Sequence, residues 1–205
     1  MAVNPAGRPL SLIAESDRND PRVITARDCG GYGLTAQWSD DIHHAIHTAV
    51  SGERQGYYAD FGSLATLAHT LRHGYFHAAT YSSFRRRRHG RPLDTATVPA
   101  TRLLAYTCTH DQVGNRALGD RPSQYLTGGQ LAIKAALALG SPYTAMLFMG
   151  EEWGRRHPSS SSARIPNRSW PGPPRRDASP NSPSTAGMPA RSPTPKTRRR
   201  FSAPS

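Results

Sequence analysis

Short apolar runs alternate with longer stretches of helical periodicity along this chain. Pro9-Leu-Ser-Leu-Ile-Ala14 is an apolar run that stops at Glu15 and Asp17 and is followed by Asn19-Asp20-Pro21. Such a run, closed by turn formers, predicts a buried strand and then a loop. A turn-rich passage with Gly30, Gly31 and Gly33 leads into Ala36-Gln37-Trp38. Ser39 or Asp40 can cap a helix that runs to about Val50, because Ile42, Ala45, Ile46 and Ala49 share one face and Gly52 ends the pattern. A second helix is predicted from Ser63 to His73, with Leu64, Leu67, Ala68 and Leu71 at helical spacing and Gly74 as its stop.

A basic loop, Arg85 to His89, follows. Arg102-Leu-Leu-Ala-Tyr-Thr-Cys108 predicts a strand that delivers Thr109-His110-Asp111-Gln112 at its end. Gly128 to Leu139 reads as an Ala- and Leu-rich helix closed by Gly140 and Pro142. Tyr143 to Met149 reads as a last strand before Gly150-Glu-Glu-Trp153. Apolar strands alternating with amphipathic helices predict a parallel α/β architecture. Glu15, Asp40, Asp111 and Glu151 stand just past the carboxyl ends of the strands, where parallel α/β folds place their chemistry. Three or four strands fall short of an eight-stranded barrel, which needs roughly 250 residues.

Composition changes this picture at one boundary. The chain has 205 residues and a formal net charge of +12. Residues 1–153 hold 15 basic and 13 acidic side chains, a net of +2, which suits one domain of ordinary size. Residues 154–205 hold 11 basic side chains against Asp177 alone, a net of +10, with 11 Pro, 11 Ser and 10 Arg and no hydrophobic periodicity. A segment of that kind cannot bury enough surface to offset its ordering entropy, so 154–205 is expected to be a disordered tail. Its composition is also that of a high-GC gene read out of frame from about codon 154. Cys29 and Cys108 make no disulfide framework, and no apolar run is long enough for a signal peptide or a membrane span. A cytoplasmic protein without a membrane partner is expected.

Two carboxylates at different strand ends suggest glycoside hydrolysis, which needs a carboxylic acid at the leaving oxygen and a carboxylate near the anomeric carbon. Glu15 follows an apolar run, where partial burial would raise its pKa towards general-acid duty. Asp111, beside His110, can stabilise positive charge. His43 and His47, one helical turn apart, have zinc-ligand spacing, but no third ligand is placed for them and no metal is expected. Trp38 and Trp153 offer faces for sugar stacking or, more simply, core.

Five segments, in this order, carry a far more specific signal: Ile13-Ala-Glu15-Ser-Asp17-Arg-Asn19-Asp-Pro-Arg22, Ala36-Gln-Trp38-Ser-Asp-Asp41-Ile-His-His44, Gly52-Glu-Arg-Gln-Gly-Tyr-Tyr58, His110-Asp-Gln-Val-Gly-Asn-Arg116 and Phe148-Met-Gly-Glu-Glu-Trp153. From about Arg8 to Trp153 the chain resembles the malto-oligosyltrehalose trehalohydrolases, an intracellular branch of the α-amylase superfamily. The resemblance implies about strands 5–8 of a (β/α)8 TIM barrel, the C-terminal half of the catalytic barrel. It implies a retaining hydrolase that cuts the α-1,4 bond beside the trehalose end of a maltooligosyltrehalose, without a cofactor. Glu15 matches the general acid/base, Asp111 the transition-state stabiliser, and His110 a ligand of a sugar hydroxyl. Gln37, Trp38, Ser39, Asp40 and Asp41, and again His110, Gln112, Val113, Gly114 and Asn115, fall in substrate-contacting stretches.

Departures from the family pattern qualify this. The family's nucleophile, an Asp on the fourth strand, and an Arg two residues before it have no counterpart, because the chain begins just before the fifth strand. Position 109 is Thr where relatives carry Asn. The chain alone is therefore expected to have negligible hydrolase activity and to need a missing N-terminal half. Arg85–Arg88 and Arg198–Arg200 suggest an alternative, a basic polyanion-binding protein on a barrel remnant. A run of four arginines is more simply a solvated loop, and specific nucleic-acid binding is not expected.

Overall fold

The structure, a computed structural model, describes residues 7–154, all within one compact unit. The Arg/Ser/Pro-rich tail expected to be disordered spans 154–205, of which 155–205 lie outside the described residues. Four parallel strands form the main sheet: β1 (Ile13–Ala14), β2 (Ala36–Trp38), β5 (Leu103–Tyr106) and β6 (Thr144–Met146), in the order β1-β2-β5-β6. A two-stranded antiparallel hairpin, β3 (Thr80–Ser82) with β4 (Arg87–His89), stands apart from it. The helices are α1 (Asp40–Ser51), α2 (Leu64–His73), α3 (His110–Gly114), α4 (Pro122–Tyr125) and α5 (Gly128–Leu139). The α/β reading with a parallel sheet holds.

Local signals explain the helix limits. Ser39 Oγ accepts from the Ile42 amide 3.4 Å away, and Asp40 and Asp41 place negative charge in the first turn of α1, where the helix dipole favours it. Gly52, at φ 79°, ends α1 in the left-handed conformation. In α5, Thr127 and Gln130 form a reciprocal capping box, and the Gln130 amide also donates to Val50 O at 3.0 Å, tying α5 to the end of α1.

Ile42, Ala45 and Ile46 of α1 are fully buried against Leu103 and Ala105 of β5, with Phe61 and Tyr75 completing the cluster. Each buried Ile contributes about 1.5–3 kcal/mol by removing its surface from water. Neither outer strand matches its expectation in full. The first is only two residues long, and Leu12 and Ile13 are about half exposed, because no described strand covers its outer edge. The last stops at Met146, leaving Leu147 and Met149 exposed. In α2 the inward positions are Leu67, Thr70 and Leu71, whereas Leu64, in the first turn, points to solvent. The expected basic loop Arg85–His89 is instead one strand and the turn of the hairpin. Its exit needs Gly90, at φ 73°, since a Cβ there would lie 1.8 Å from His77 O.

Candidate active site

Register brings the chemistry together. Ala14 pairs with Gln37, Trp38 with Leu104, and Tyr106 with Met146, so the strands end along one edge of the sheet. Glu15 follows β1 directly, Asp40 and Asp41 follow β2, and Thr109 caps α3 just beyond β5. Thr109 Oγ1 accepts from the Asp111 amide at 3.2 Å, which starts α3 so that His110 and Asp111 stand at its head. Thr at this position thus acts as a helix cap.

Glu15, His110 and Asp111, from two different strand ends, converge with their ligand atoms within 4.8 Å of one another. His110 Nε2 lies 3.3 Å from Glu15 Oε1 and 3.4 Å from Asp111 Oδ1, so the imidazole stands between the two carboxylates. All three side chains are more than half exposed. The expected partial burial of Glu15 is therefore not found, because the short β1 gives it no apolar cover. Among the described residues this trio is the one His/carboxylate cluster close enough to share a cation, and nothing further in it points to a metal.

Of the remaining site residues, Trp38 packs against the trio, others stay at least partly exposed on or near α3 and α1, and the rest lie buried. Trp38 packs on Tyr106 at 5.6 Å and meets the His110 ring edge-on at 6.0 Å, setting the imidazole's position. Asp40 accepts a hydrogen bond from the Tyr106 hydroxyl, and burial holds its carboxyl up at about 6. Gly114 and Asn115 are exposed and Gln112 is half-buried, all on α3 or at its end.

Gln37, Ser39, Asp41 and Val113, by contrast, are buried and do not offer their side chains to a substrate in this structure. Gln37 donates to Ser16 O at 3.0 Å and accepts from Tyr75 OH at 3.3 Å, holding the chain just after Glu15. Ser39 Oγ donates to Gly74 O. Asp41 Oδ2 accepts from the side-chain amide of Asn19 and from the backbone amides of Phe76 and His77, each at 2.8 Å. Burial nevertheless pushes its pKa up. Val113 fills the core under α3.

Two supporting networks have weaker sequence signals. Arg85 pairs with Asp17, and His89 Nε2 meets Asp17 O at 2.8 Å, so the hairpin clamps the loop after Glu15. Lys134, a lone cation on the apolar stripe of α5, is buried and donates to Thr107 O at 2.9 Å and to His47 Nδ1 at 3.0 Å. The His47 proton must then sit on Nε2, which faces Glu53 Oε2 at 2.9 Å. Glu53 in turn holds Arg116 at 2.8 and 2.9 Å. Burial lowers Lys134 to about 8 and His47 to about 4. His43 and His47 are stacked inside the core, so this stretch of α1 does not present a solvent-facing polar surface.

A cavity of about 460 Å³ between β6 and α5 is lined by apolar residues such as Leu131, Ala138 and Met146 together with Arg121, Lys134, Glu151 and Glu152, and shares no residue with the trio. Trp153 is exposed and stacks on no described ring. No described helix is long and apolar enough to cross a membrane.

No protein-family profile matches the chain. Over 152 residues, 74% of this chain, it is 88% identical to a malto-oligosyltrehalose trehalohydrolase of Mycobacterium tuberculosis, and 60% identical to one of Arthrobacter ramosus. A trehalohydrolase of Saccharolobus solfataricus is 44% identical over 147 residues. A crystal structure titled as a putative alpha amylase from Salmonella typhimurium superposes with a TM-score of 0.64 at 36% identity, covering 74% of this chain and 26% of that one. Nothing among these relatives supports a polyanion-binding protein. The matched stretch is homologous to malto-oligosyltrehalose trehalohydrolase, and the chain spans about a quarter (26%) of the length of those relatives.

Proposed function

We propose that residues 1–153 supply the acid/base half of a trehalohydrolase-type active site, built on about strands 5–8 of a (β/α)8 barrel. The observation that carries this reading is the meeting of Glu15, His110 and Asp111 at one sheet edge, from strand ends far apart in sequence. In such a site Glu15 protonates the oxygen of the leaving trehalose and later deprotonates the attacking water. Asp111 favours the oxocarbenium-like transition states, while His110 donates to a sugar hydroxyl. The nucleophile of such a site would come from polypeptide other than the matched stretch. The substrate is a maltooligosyltrehalose-type oligosaccharide.

The test is a chimera in which the matched stretch of the Mycobacterium tuberculosis relative is replaced by that of this chain. The chimera is expected to release trehalose from maltotriosyltrehalose. Glu15→Gln and Asp111→Asn in it should each lower kcat by about 10²–10⁴-fold, the range of a lost proton-transfer or charge-stabilising group. Unimpaired kcat in both variants would overturn the assignment.

A further inference from the structure

The cavity between β6 and α5 is lined by a cation that the described residues do not satisfy. Arg121 is only 3% exposed, and its Nε and Nη2 meet no acceptor among the described residues. Buried polar groups are nearly always paired, so two orphaned donors on one guanidinium call for an acceptor. We infer that this cavity is a binding site for a small amphipathic monocarboxylate of the medium-chain fatty acid class, its carboxylate held by Arg121. The cavity shares no residue with Glu15, His110 and Asp111, so the inference does not depend on the proposed carbohydrate chemistry.

Donor geometry is the first argument. The guanidinium is fixed on its other sides: Nη1 donates to Met149 O at 2.6 Å, and the group lies over the Phe148 ring, 4.8 Å from its centroid. The Arg121 amide donates to Gln124 Oε1 at 2.7 Å, which fixes the backbone as well. Nε and Nη2 stand along one edge of the guanidinium, the edge that takes the two oxygens of a carboxylate side by side. Arg22 uses that same edge on Asp20 in this chain, at 3.1 and 2.6 Å. A donor edge already held in place loses little freedom on binding.

Charge is the second. Lys134, also buried and protonated at neutral pH, adds a further cation to the lining. Two acids border the cavity, and neither pairs with Arg121. Glu151 accepts from Thr107 Oγ1 and from the Phe148 amide, and Glu152 accepts from the Gly150 amide. Burial pushes the Glu151 carboxyl up, which weakens its opposition to an incoming anion.

Wall chemistry is the third. Pro122, Leu131, Ala135, Ala138, Met146 and Leu147 line the cavity, whose volume of about 460 Å³ is in the range of small-molecule sites. A hydroxyl-rich ligand would leave polar groups unpaired against these walls, whereas an alkyl chain gains by leaving water. A single carboxylate on an alkyl chain therefore matches a single open donor edge among apolar walls.

The full chain is titrated with sodium octanoate, and binding is followed by calorimetry and by the arginine side-chain Nε–H resonances. Saturable binding is expected, with a shift of the Nε–H resonance that Arg121→Lys removes. Hexanoate, shorter by two methylenes, should bind about tenfold more weakly. 1-Octanol, which keeps the chain and loses the charge, should also bind at least about tenfold more weakly. Arg121→Lys keeps the charge but not the paired donors and is expected to weaken octanoate about tenfold. Ala135→Phe leaves Arg121 in place and fills the cavity; it should abolish binding with the near-UV circular dichroism retained, which gives a readout if Arg121→Lys unfolds. Octanol bound as tightly as octanoate, or octanoate bound unchanged in both variants, overturns the inference. So does the absence of saturable binding up to about 10 mM, which would mean that other polypeptide covers Arg121.

Discussion

Asp41 illustrates how a motif residue can serve a site without touching its ligand. Its single Oδ2 gathers the Asn19 side chain and two backbone amides from residues 76 and 77, so the loop after Glu15 and the approach to the hairpin are both anchored on the first turn of α1. From the sequence, Ala36-Gln-Trp-Ser-Asp-Asp41 marks functional importance correctly but cannot separate contact from support, because a buried acceptor and an exposed one look alike in one dimension. Gln37, Ser39 and Val113 are legible only to the same degree. Asp41→Ala would leave three buried donors unpaired and should destabilise the fold by about 3 kcal/mol or more, seen as a lower urea midpoint at unchanged m. A midpoint within about 0.5 kcal/mol of the parent would show that the Asn19 and backbone amides find water instead.

At the level of elements, α1 is legible to its caps, Ser39 and Gly52, whereas α5 is legible in its bounds Gly128–Leu139 but not in the Thr127/Gln130 capping box that starts it. The hairpin is not legible, because Thr80–Ser82 and Arg87–His89 have no apolar alternation. It is held by Asp17, Ala79 and Gly90 instead of by a hydrophobic face. Nor did periodicity reveal that α1 buries its histidines as well as its aliphatic stripe. Burial lowers His44 to about 3 and His47 to about 4, and places His43 well below 6.5. Each is neutral in the fold and protonates near 6.5 when unfolded. Their contribution is therefore complete above about pH 6.5 and is lost as pH falls from there towards 3–4. At pH 5 this amounts to about 2 kcal/mol for each of His44 and His47, a large part of a typical domain's net stability. Asp40, raised to about 6, and Asp41 and Glu151, also raised, act in the opposite sense, since their stabilisation appears as pH falls, while burial lowers His77 and His89 in the same sense as the α1 histidines. Acid unfolding followed by near-UV circular dichroism should thus begin between about pH 6 and 4. His44→Phe, which keeps the ring among Tyr57, Tyr58 and Phe61 but cannot take a proton, should move the midpoint to lower pH. An unmoved midpoint would mean that the histidines already protonate in the fold.

A net charge of +12 would suit a polyanion partner, yet the described sheet and its acidic edge lie in a region whose charge is nearly balanced. What the sheet lacks is cover. Among the described residues its order leaves one edge of β1 and one edge of β6 unpaired, and parallel strands are normally buried on both sides. Apolar residues lie exposed at both edges: Leu12 and Ile13 at β1, and Leu147, Met149 and Trp153 beyond β6. Sequence patterning reads such residues as interior because it assumes neighbours, and the relatives, about four times as long as the matched stretch, have polypeptide from which to supply them. Without it, open edges and apolar surface favour pairing between copies. Sedimentation velocity on the chain at micromolar concentration should show mass-action self-association. Leu147→Lys with Met149→Lys should reduce it by placing charge at the β6 end, without loss of near-UV signal, since neither side chain belongs to the buried core. A monomer unchanged up to about 100 μM, a hundredfold above the lower limit of that range, would show that the exposed edges do not pair between copies.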